Sequence, residues 1–121
     1  MFKKCKKCGK VIYVLEGSNS TICCNEEMQE LIPNSIDASF EKHIPNIKIE
    51  NNKIIVSVNH VMERDHYIKW IAQETNNELV IKRLKPGENP LVEFDHKPNS
   101  KVYSYCNKHN LWINNEENEK N

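Results

Sequence analysis

The sequence predicts an all-β protein, an antiparallel β-sandwich preceded by a small module stapled by metal. Three observations carry that expectation. Short strand-like segments recur between turns from about residue 36, no stretch has a convincing helical period, and four of the five cysteines (Cys5, Cys8, Cys23 and Cys24) lie near the start.

Residues 1–32 are the module, built from "CKKCGKVIYVLEG" and "TICCNEEMQEL". Residues 11–15 are apolar and read as a strand, and Gly17-Ser18-Asn19-Ser20 supplies a turn before the second cysteine pair. A segment of about thirty residues buries too little surface to fold alone, so a metal staple is the expected remedy. Cys5-x-x-Cys8 sets two thiolates on one tight turn, with Gly9 permitting the reversal. Cys23 and Cys24 are adjacent, and neighbours in a strand point to opposite faces, so both reach one ion only if the chain twists there. Four thiolates close a tetrahedral site that contributes folding energy directly. Iron and zinc both suit soft sulfur, and a redox disulfide or a structural zinc ribbon are the competing readings. Pro33-Asn34-Ser35 reads as a linker, dividing the chain into residues 1–35 and 36–121.

In the second part, "NIKIE" and "KIIVSV" flank Asn51-Asn52, and "IKWIAQE" and "ELVIKRL" flank Asn76-Asn77; both pairs are expected hairpins. "LVEFD" and "KVYSYC" add strands, with "KPGENP" and "HKPNS" as connecting loops. The tail "NNEENEKN" is polar throughout and is expected to fray. No internal repeat is visible.

A composition of 38% hydrophobic and 28% charged residues supports a folded domain. Net charge is zero, which argues against a broad nucleic-acid footprint. No apolar run reaches membrane-spanning length, and "MFKKCKKCGK" lacks the apolar core of a secretory signal. Cytoplasmic localisation is therefore expected, with no nucleic-acid or membrane partner.

The histidines pose a separate question. His60 and His66, in "NHVMERDHY", are six apart, and on a helix that spacing sends the two rings to different sides. They also miss the spacing of four that zinc-binding helices use. "FEKHIP" supplies His43, and "YCNKHNLW" supplies Cys106 and His109. Taken singly, each histidine is more often a solvated or core side chain than a ligand. His96, in a turn-rich loop with no partner motif, keeps that reading. Cys106-x-x-His109 differs, because a strand running into a loop can aim both side chains at one ion. Loops from distant positions gather at one end of a sandwich, so His43, His60 and His66 can join them, with the six-residue spacing wrapping a loop around the metal.

On these motifs the chain resembles the desulfoferrodoxins, the two-iron superoxide reductases, over nearly its whole length. The Cys-x-x-Cys and vicinal Cys-Cys pattern resembles desulforedoxin. "EKHIP", the His60/His66 pair followed by Tyr67, and "CNKHNLW" match the family's catalytic-centre motifs in order. The resemblance implies an immunoglobulin-like sandwich and two irons per chain, one on the four cysteines. The second would be a non-haem iron with His43, His60, His66 and His109 equatorial and the Cys106 thiolate axial. It implies an oxidoreductase that reduces superoxide by one electron to hydrogen peroxide at a ferrous site, without dioxygen release, in defence against oxidative stress. Lys42 would draw superoxide in, and Glu41 would occupy the sixth position of the resting ferric site. A rubredoxin-like electron donor and a homodimer are also implied.

Some positions depart from the family pattern. Val61 stands where proline is usual, Asn110 where glycine follows the last histidine, and Asn25 and Glu27 where glycine and proline are frequent. Asparagine tolerates a left-handed backbone best after glycine, so the loop at Asn110 is expected to survive. Two other functions compete. A cupredoxin-like copper electron-transfer protein wants two histidines, a cysteine and a methionine shortly after the second histidine, and no methionine follows Cys106. A non-catalytic, zinc-stapled binding module leaves the histidines unused.

Overall fold

The computed structural model describes residues 1–17 and 20–115. It divides into two compact units, Met1–Ile32 and Pro33–Asn121. Residues 18 and 19 of the expected turn, and the part of the expected frayed tail beyond residue 115, lie outside the described residues.

The first unit holds two small antiparallel sheets. β1 (Phe2–Lys4) lies between β2 (Val11–Tyr13) and β5 (Gln29–Glu30), while β3 (Ile22–Cys23) pairs with β4 (Glu26–Glu27). Its buried apolar side chains are Phe2, Met28 and Leu31, with Phe2 edge-on to Tyr13 at 4.9 Å between ring centroids. That core is small, as the length of the unit requires. Strand β1, "FKK", has no strand signature; pairing on both edges imposes the conformation against local preference.

The second unit is an antiparallel sandwich. β6 (Asn46–Glu50), β7 (Lys53–Ser57) and β10 (Leu91–Asp95) form one sheet in the order β10-β7-β6. β8 (Ile68–Glu74), β9 (Leu79–Arg83), β11 (Lys101–Cys106) and β12 (Asn110–Asn115) form the other in the order β12-β11-β8-β9. Alternate residues of each sheet point inward, so Ile47, Ile54, Val56 and Phe94 from the first meet Ile68, Ile71, Val102 and Cys106 from the second in one core. At one end, buried Gln73 on β8 donates from Nε2 to the Asp95 carbonyl on β10 (2.8 Å), linking the sheets.

Both expected hairpins form, with different turns. Asn51 and Asn52 have φ of 52° and 62°, the left-handed pair of a tight two-residue turn between paired Glu50 and Lys53. Between β8 and β9 the loop is longer, spanning residues 75–78, and the Thr75 N–H donates to the Glu78 carbonyl (2.9 Å). β12 has no counterpart among the expected strands. It takes in the first two residues of the "NNEENEKN" stretch, and Asn114 Nδ2 donates to the Pro45 carbonyl (3.0 Å). Asn34, in the stretch read as a linker, lies against this strand: its Oδ1 accepts from the Ile113 N–H (2.9 Å), and its own N–H donates to the Leu111 carbonyl (3.0 Å). Among the described residues, no helix is long and apolar enough to cross a membrane.

The end of the sandwich opposite the Gln73 link carries four connections: the segment entering β6, the β7–β8 loop, the β9–β10 connection and the β11–β12 turn. A bulge prepares it. Tyr105 pairs with Trp70 but Cys106 pairs with Ile68, leaving Lys69 as the extra residue on β8. Bulges of this kind re-aim side chains at the end of a strand.

Candidate metal centres

In the first unit, Gly9 (φ 80°) closes the turn after Cys5, its N–H donating to the Cys5 carbonyl at 2.9 Å. The twist that vicinal cysteines require is also present. Cys24 and Asn25 have φ of 53° and 62° and form the turn between β3 and β4, so Cys23 ends a strand while Cys24 sits on the corner. The four sulfurs lie within 4.8 Å of one another, with Cys8 and Cys23 Sγ 3.6 Å apart and Cys23 and Cys24 Sγ 3.9 Å apart. Sulfurs placed tetrahedrally about 2.3 Å from one ion stand about 3.8 Å from each other, so the spacing fits a metal.

The protons in this cluster are unevenly held. The backbone N–H of Cys8, with that of Lys7, lowers the Cys5 thiol to about 7 against the opposing effect of burial. Hydrogen bonds to Cys8 and Cys5 push Cys23 up to about 12, and Cys24 is raised chiefly by Cys8. Sulfurs this close cannot all ionise without a cation among them.

The second cluster assembles at the loop end of the sandwich. His43 closes a 3₁₀ turn (Phe40–Lys42), and its Nδ1 donates to the Ser39 carbonyl at 2.6 Å. A carbonyl only accepts, so this bond fixes the tautomer and leaves Nε2 with its lone pair facing inward. His60 follows β7, and its Nδ1 donates to the Val61 carbonyl, again freeing Nε2, which lies 3.4 Å from Cys106 Sγ. His66 is held through two backbone bonds with Glu63, and its Nε2 is buried without a hydrogen-bond partner. His109, in the β11–β12 turn, brings Nδ1 to 3.0 Å from His43 Nε2 and 3.8 Å from Cys106 Sγ.

The four rings form a closed circuit. His43 neighbours His60 and His109 (centroids 4.8 Å apart in each case), and His66 neighbours His60 (4.6 Å) and His109 (5.3 Å), all at steep interplanar angles. Donor atoms of His43, His60, His66 and Cys106 lie within 4.8 Å of one another. Adjacent nitrogens about 2.1 Å from a shared ion stand about 3 Å apart, which is the His43–His109 separation. The buried, unpartnered His66 Nε2 is the clearest sign of fit, because an orphaned polar atom at that depth costs roughly 1–3 kcal/mol unless something binds it. Burial lowers the pKa of His43 and His60 against the hydrogen bonds to the Ser39 and Val61 carbonyls, which raise it, and repulsion from neighbouring histidines adds to the lowering; the direction favours the neutral ring that metal ligation uses.

The four N-terminal cysteines thus form one cluster and His43, His60, His66 and Cys106 the other, with His109 joined to the second through His43 and Cys106. Glu41 and Lys42 lie exposed on the 3₁₀ turn leading into His43, outside the gathered donors. His96 is at the other end of the sandwich, its N–H donating to the Asn52 carbonyl (2.9 Å). Asn110 adopts φ 61°, the left-handed backbone foreseen for it.

Supporting residues complete the site. Trp112, 1% exposed, stacks on His43 (4.8 Å, 22°) and donates from Nε1 to the His109 carbonyl (3.0 Å). Buried Ser104 donates to the His43 carbonyl (2.7 Å). Asn107 bridges two loops. The "CNKHNLW" motif contains Asn107 and Trp112, but the partners of the Asn107 side chain and the His43 ring stacked on Trp112 lie tens of residues away, and spacing does not reveal them.

The family model described as desulfoferrodoxin matches residues 35–115. The chain is 40% identical over 114 residues to a desulfoferrodoxin of Syntrophotalea carbinolica, covering 90% of each chain. With a desulfoferrodoxin of Clostridium acetobutylicum it shares 35% over 111 residues, covering 88% of this chain and 89% of the relative. The crystal structure of the superoxide reductase from Treponema pallidum aligns with a TM-score of 0.72 at 24% identity, covering 94% of this chain and 98% of that one, a likeness of fold. A single-residue variant of a superoxide reductase (neelaredoxin) from Ignicoccus hospitalis aligns at 30% identity with a TM-score of 0.50, covering 62% of this chain and 77% of that one.

Proposed function

The chain belongs to the desulfoferrodoxin family, and we propose from that premise that it is a superoxide reductase with two irons per chain. One observation carries the reading: four imidazoles and one thiolate converge from three separate loops, with the His66 Nε2 lone pair buried and otherwise unused. In this reading His43, His60, His66, His109 and Cys106 would hold the iron. Cys5, Cys8, Cys23 and Cys24 hold the other iron. When bound at the histidine site, ferrous iron supplies the single electron that, with two protons, converts superoxide to hydrogen peroxide.

The chain sets the conditions for that reaction. Four neutral imidazoles and one thiolate carry a single negative charge, so a divalent ion keeps net charge +1 and attracts an anion. Cys106 is fully buried, which protects its thiolate and limits approach from its side. Lys42 would add positive charge near the site, and Glu41 would offer it a carboxylate in the resting state. The electron comes from a rubredoxin-like donor, and the protein works as a homodimer in the cytoplasm, detoxifying superoxide. Four imidazoles exceed what a copper electron-transfer site uses, no methionine follows Cys106, and Met62, between His60 and His66, has its Sδ accepting the Ile68 N–H (3.4 Å).

Protein purified without oxygen should contain two irons per chain. It should consume superoxide with one hydrogen peroxide formed per superoxide and no dioxygen released. Cys106→Ser should eliminate the thiolate-to-iron absorption of the second iron and severely impair peroxide release. Dioxygen evolution, or a Cys106→Ser protein with unchanged spectrum and rate, would overturn the assignment.

A further inference from the structure

Asn107 follows Cys106 directly, yet its side chain does not serve its own turn. Its Oδ1 accepts from the Tyr67 N–H (2.9 Å), its Nδ2 donates to the Asp65 carbonyl (2.9 Å), and its backbone N–H donates to the Tyr67 carbonyl (3.2 Å). A backbone N–H only donates and a carbonyl only accepts, so these partners fix the orientation of the amide. The three bonds grip the two residues on either side of His66, from a position next to Cys106. His66 itself is held at its own N–H and carbonyl by Glu63 (3.2 and 2.9 Å). Its backbone has no slack, and the remaining freedom of the imidazole is the rotation that aims Nε2.

We propose that Asn107 is the positioning residue that couples His66 to Cys106, fixing the imidazole donor relative to the thiolate sulfur. The inference rests on the metal-site reading above. Backbone pairing ties Ile68 to Cys106, and the Asn107 N–H ties the Tyr67 carbonyl. The Asn107 side chain adds the bonds that reach back past His66, to the Tyr67 N–H and the Asp65 carbonyl, while His66 Nε2 has no hydrogen-bond partner of its own. Without those two side-chain bonds, the loop is held to the end of β11 only from the Tyr67 carbonyl onward, and the stretch that carries His66 loosens. His66 then leaves the ion while His60, anchored nearer β7, stays. Groups that orient metal ligands from behind typically change metal affinity by about 10–100-fold when removed.

The test uses full-length protein with Asn107→Ala, Asn107→Asp and, as a control on the same turn, Lys108→Ala. Asp keeps the acceptor for the Tyr67 N–H and loses the donor to the Asp65 carbonyl. Three quantities are read: chelator-driven loss of the second iron, the energy of its thiolate-to-iron band, and hydrogen exchange of the Tyr67 amide in metal-free protein. Asn107→Ala should speed iron loss about tenfold or more, shift the band, and speed Tyr67 exchange about tenfold, with core amides such as Ile71 and Val102 unchanged. Asn107→Asp should keep Tyr67 protected while iron loss rises by an intermediate factor, and Lys108→Ala should match the parent.

Iron loss and Tyr67 exchange within about twofold of the parent in Asn107→Ala would overturn the proposal, since an orienting group is expected to matter more than that. So would acceleration of all core amides together, which is the mark of a merely structural residue. Should Asn107→Ala fail to fold, Asn107→Asp decides, since parental iron loss in that variant also overturns it. If the parent chain itself retains no second iron, the metal-site reading falls and takes this inference with it, an outcome distinct from a parent that binds iron and a variant that binds it equally well.

Discussion

Asn110 joins His109 to β12 with φ 61°, a conformation that costs most L-residues roughly 1–2 kcal/mol because Cβ crowds the following carbonyl. Asn110 directly follows His109, whose Nδ1 lies 3.0 Å from His43 Nε2. Asn110→Gly should therefore leave the denaturation midpoint and iron retention close to the parent values. Asn110→Val should lose roughly 1–2 kcal/mol in chemical denaturation and release iron faster. Equal behaviour of the two variants would mean that the backbone at this position does not support the site. Asn110 was legible in the sequence because a local rule governs it: few residues tolerate that backbone. The gathering of His43, His60, His66, Cys106 and His109 was legible from motif order alone. The bonds that aim them were not. Ser39 acts through a backbone carbonyl that any residue carries, and Asn107 and the stack of Trp112 on His43 depend on tertiary packing, so residue type alone would suit an ordinary turn or core equally well.

Among the elements, the Asn-Asn pairs show how far local signals reach. Both were readable as hairpin turns, yet only Asn51-Asn52 takes the left-handed pair of conformations; at Asn76-Asn77 the strands stop earlier and residues 75–78 make the reversal. The register of the flanking strands decides, and register is a property of the sheet. β12 was not foreseen because "LWI" is apolar without alternation, and the bulge at Lys69 leaves no mark in sequence. The β3–β4 hairpin was better signalled, since two adjacent cysteines can serve one ion only on a corner. It also makes a prediction about its unit. Removing one sulfur removes most of the free energy that holds so small a core, because structural metal binding in small modules is worth on the order of 10 kcal/mol. Cys8→Ser should lower iron by one atom per chain and expose residues 1–32 to limited proteolysis. The core of the second unit should stay protected, and superoxide reduction should persist largely intact, since the two donor sets share no residue. Loss of superoxide reduction with the second iron still bound would show instead that the four-cysteine site takes part in turnover.

At the scale of the whole molecule, charge is the quantity to weigh. Net charge is zero, so the chain offers no uniform field to draw an anion, and any steering must come from charges close to the site. Lys42 and Glu41 are adjacent, exposed and of opposite sign, which makes their separate effects measurable. Two unit charges about 8 Å apart at an effective dielectric of about 20 interact by roughly 2 kcal/mol. Salt and the opposing carboxylate reduce that, leaving about a tenfold effect on rate. Lys42→Ile should slow bimolecular capture of superoxide by about that factor and flatten its dependence on ionic strength, with iron content unchanged. Glu41→Ala should act differently. Its carboxylate is proposed to matter only in the resting ferric site, so capture by the ferrous enzyme should barely change while the ferric spectrum shifts. Pulse radiolysis of both variants across a range of salt separates the two roles. If Lys42→Ile captures superoxide at the parental rate throughout that range, steering fails, and the pair before His43 is a solvated turn whose task ends with placing the histidine.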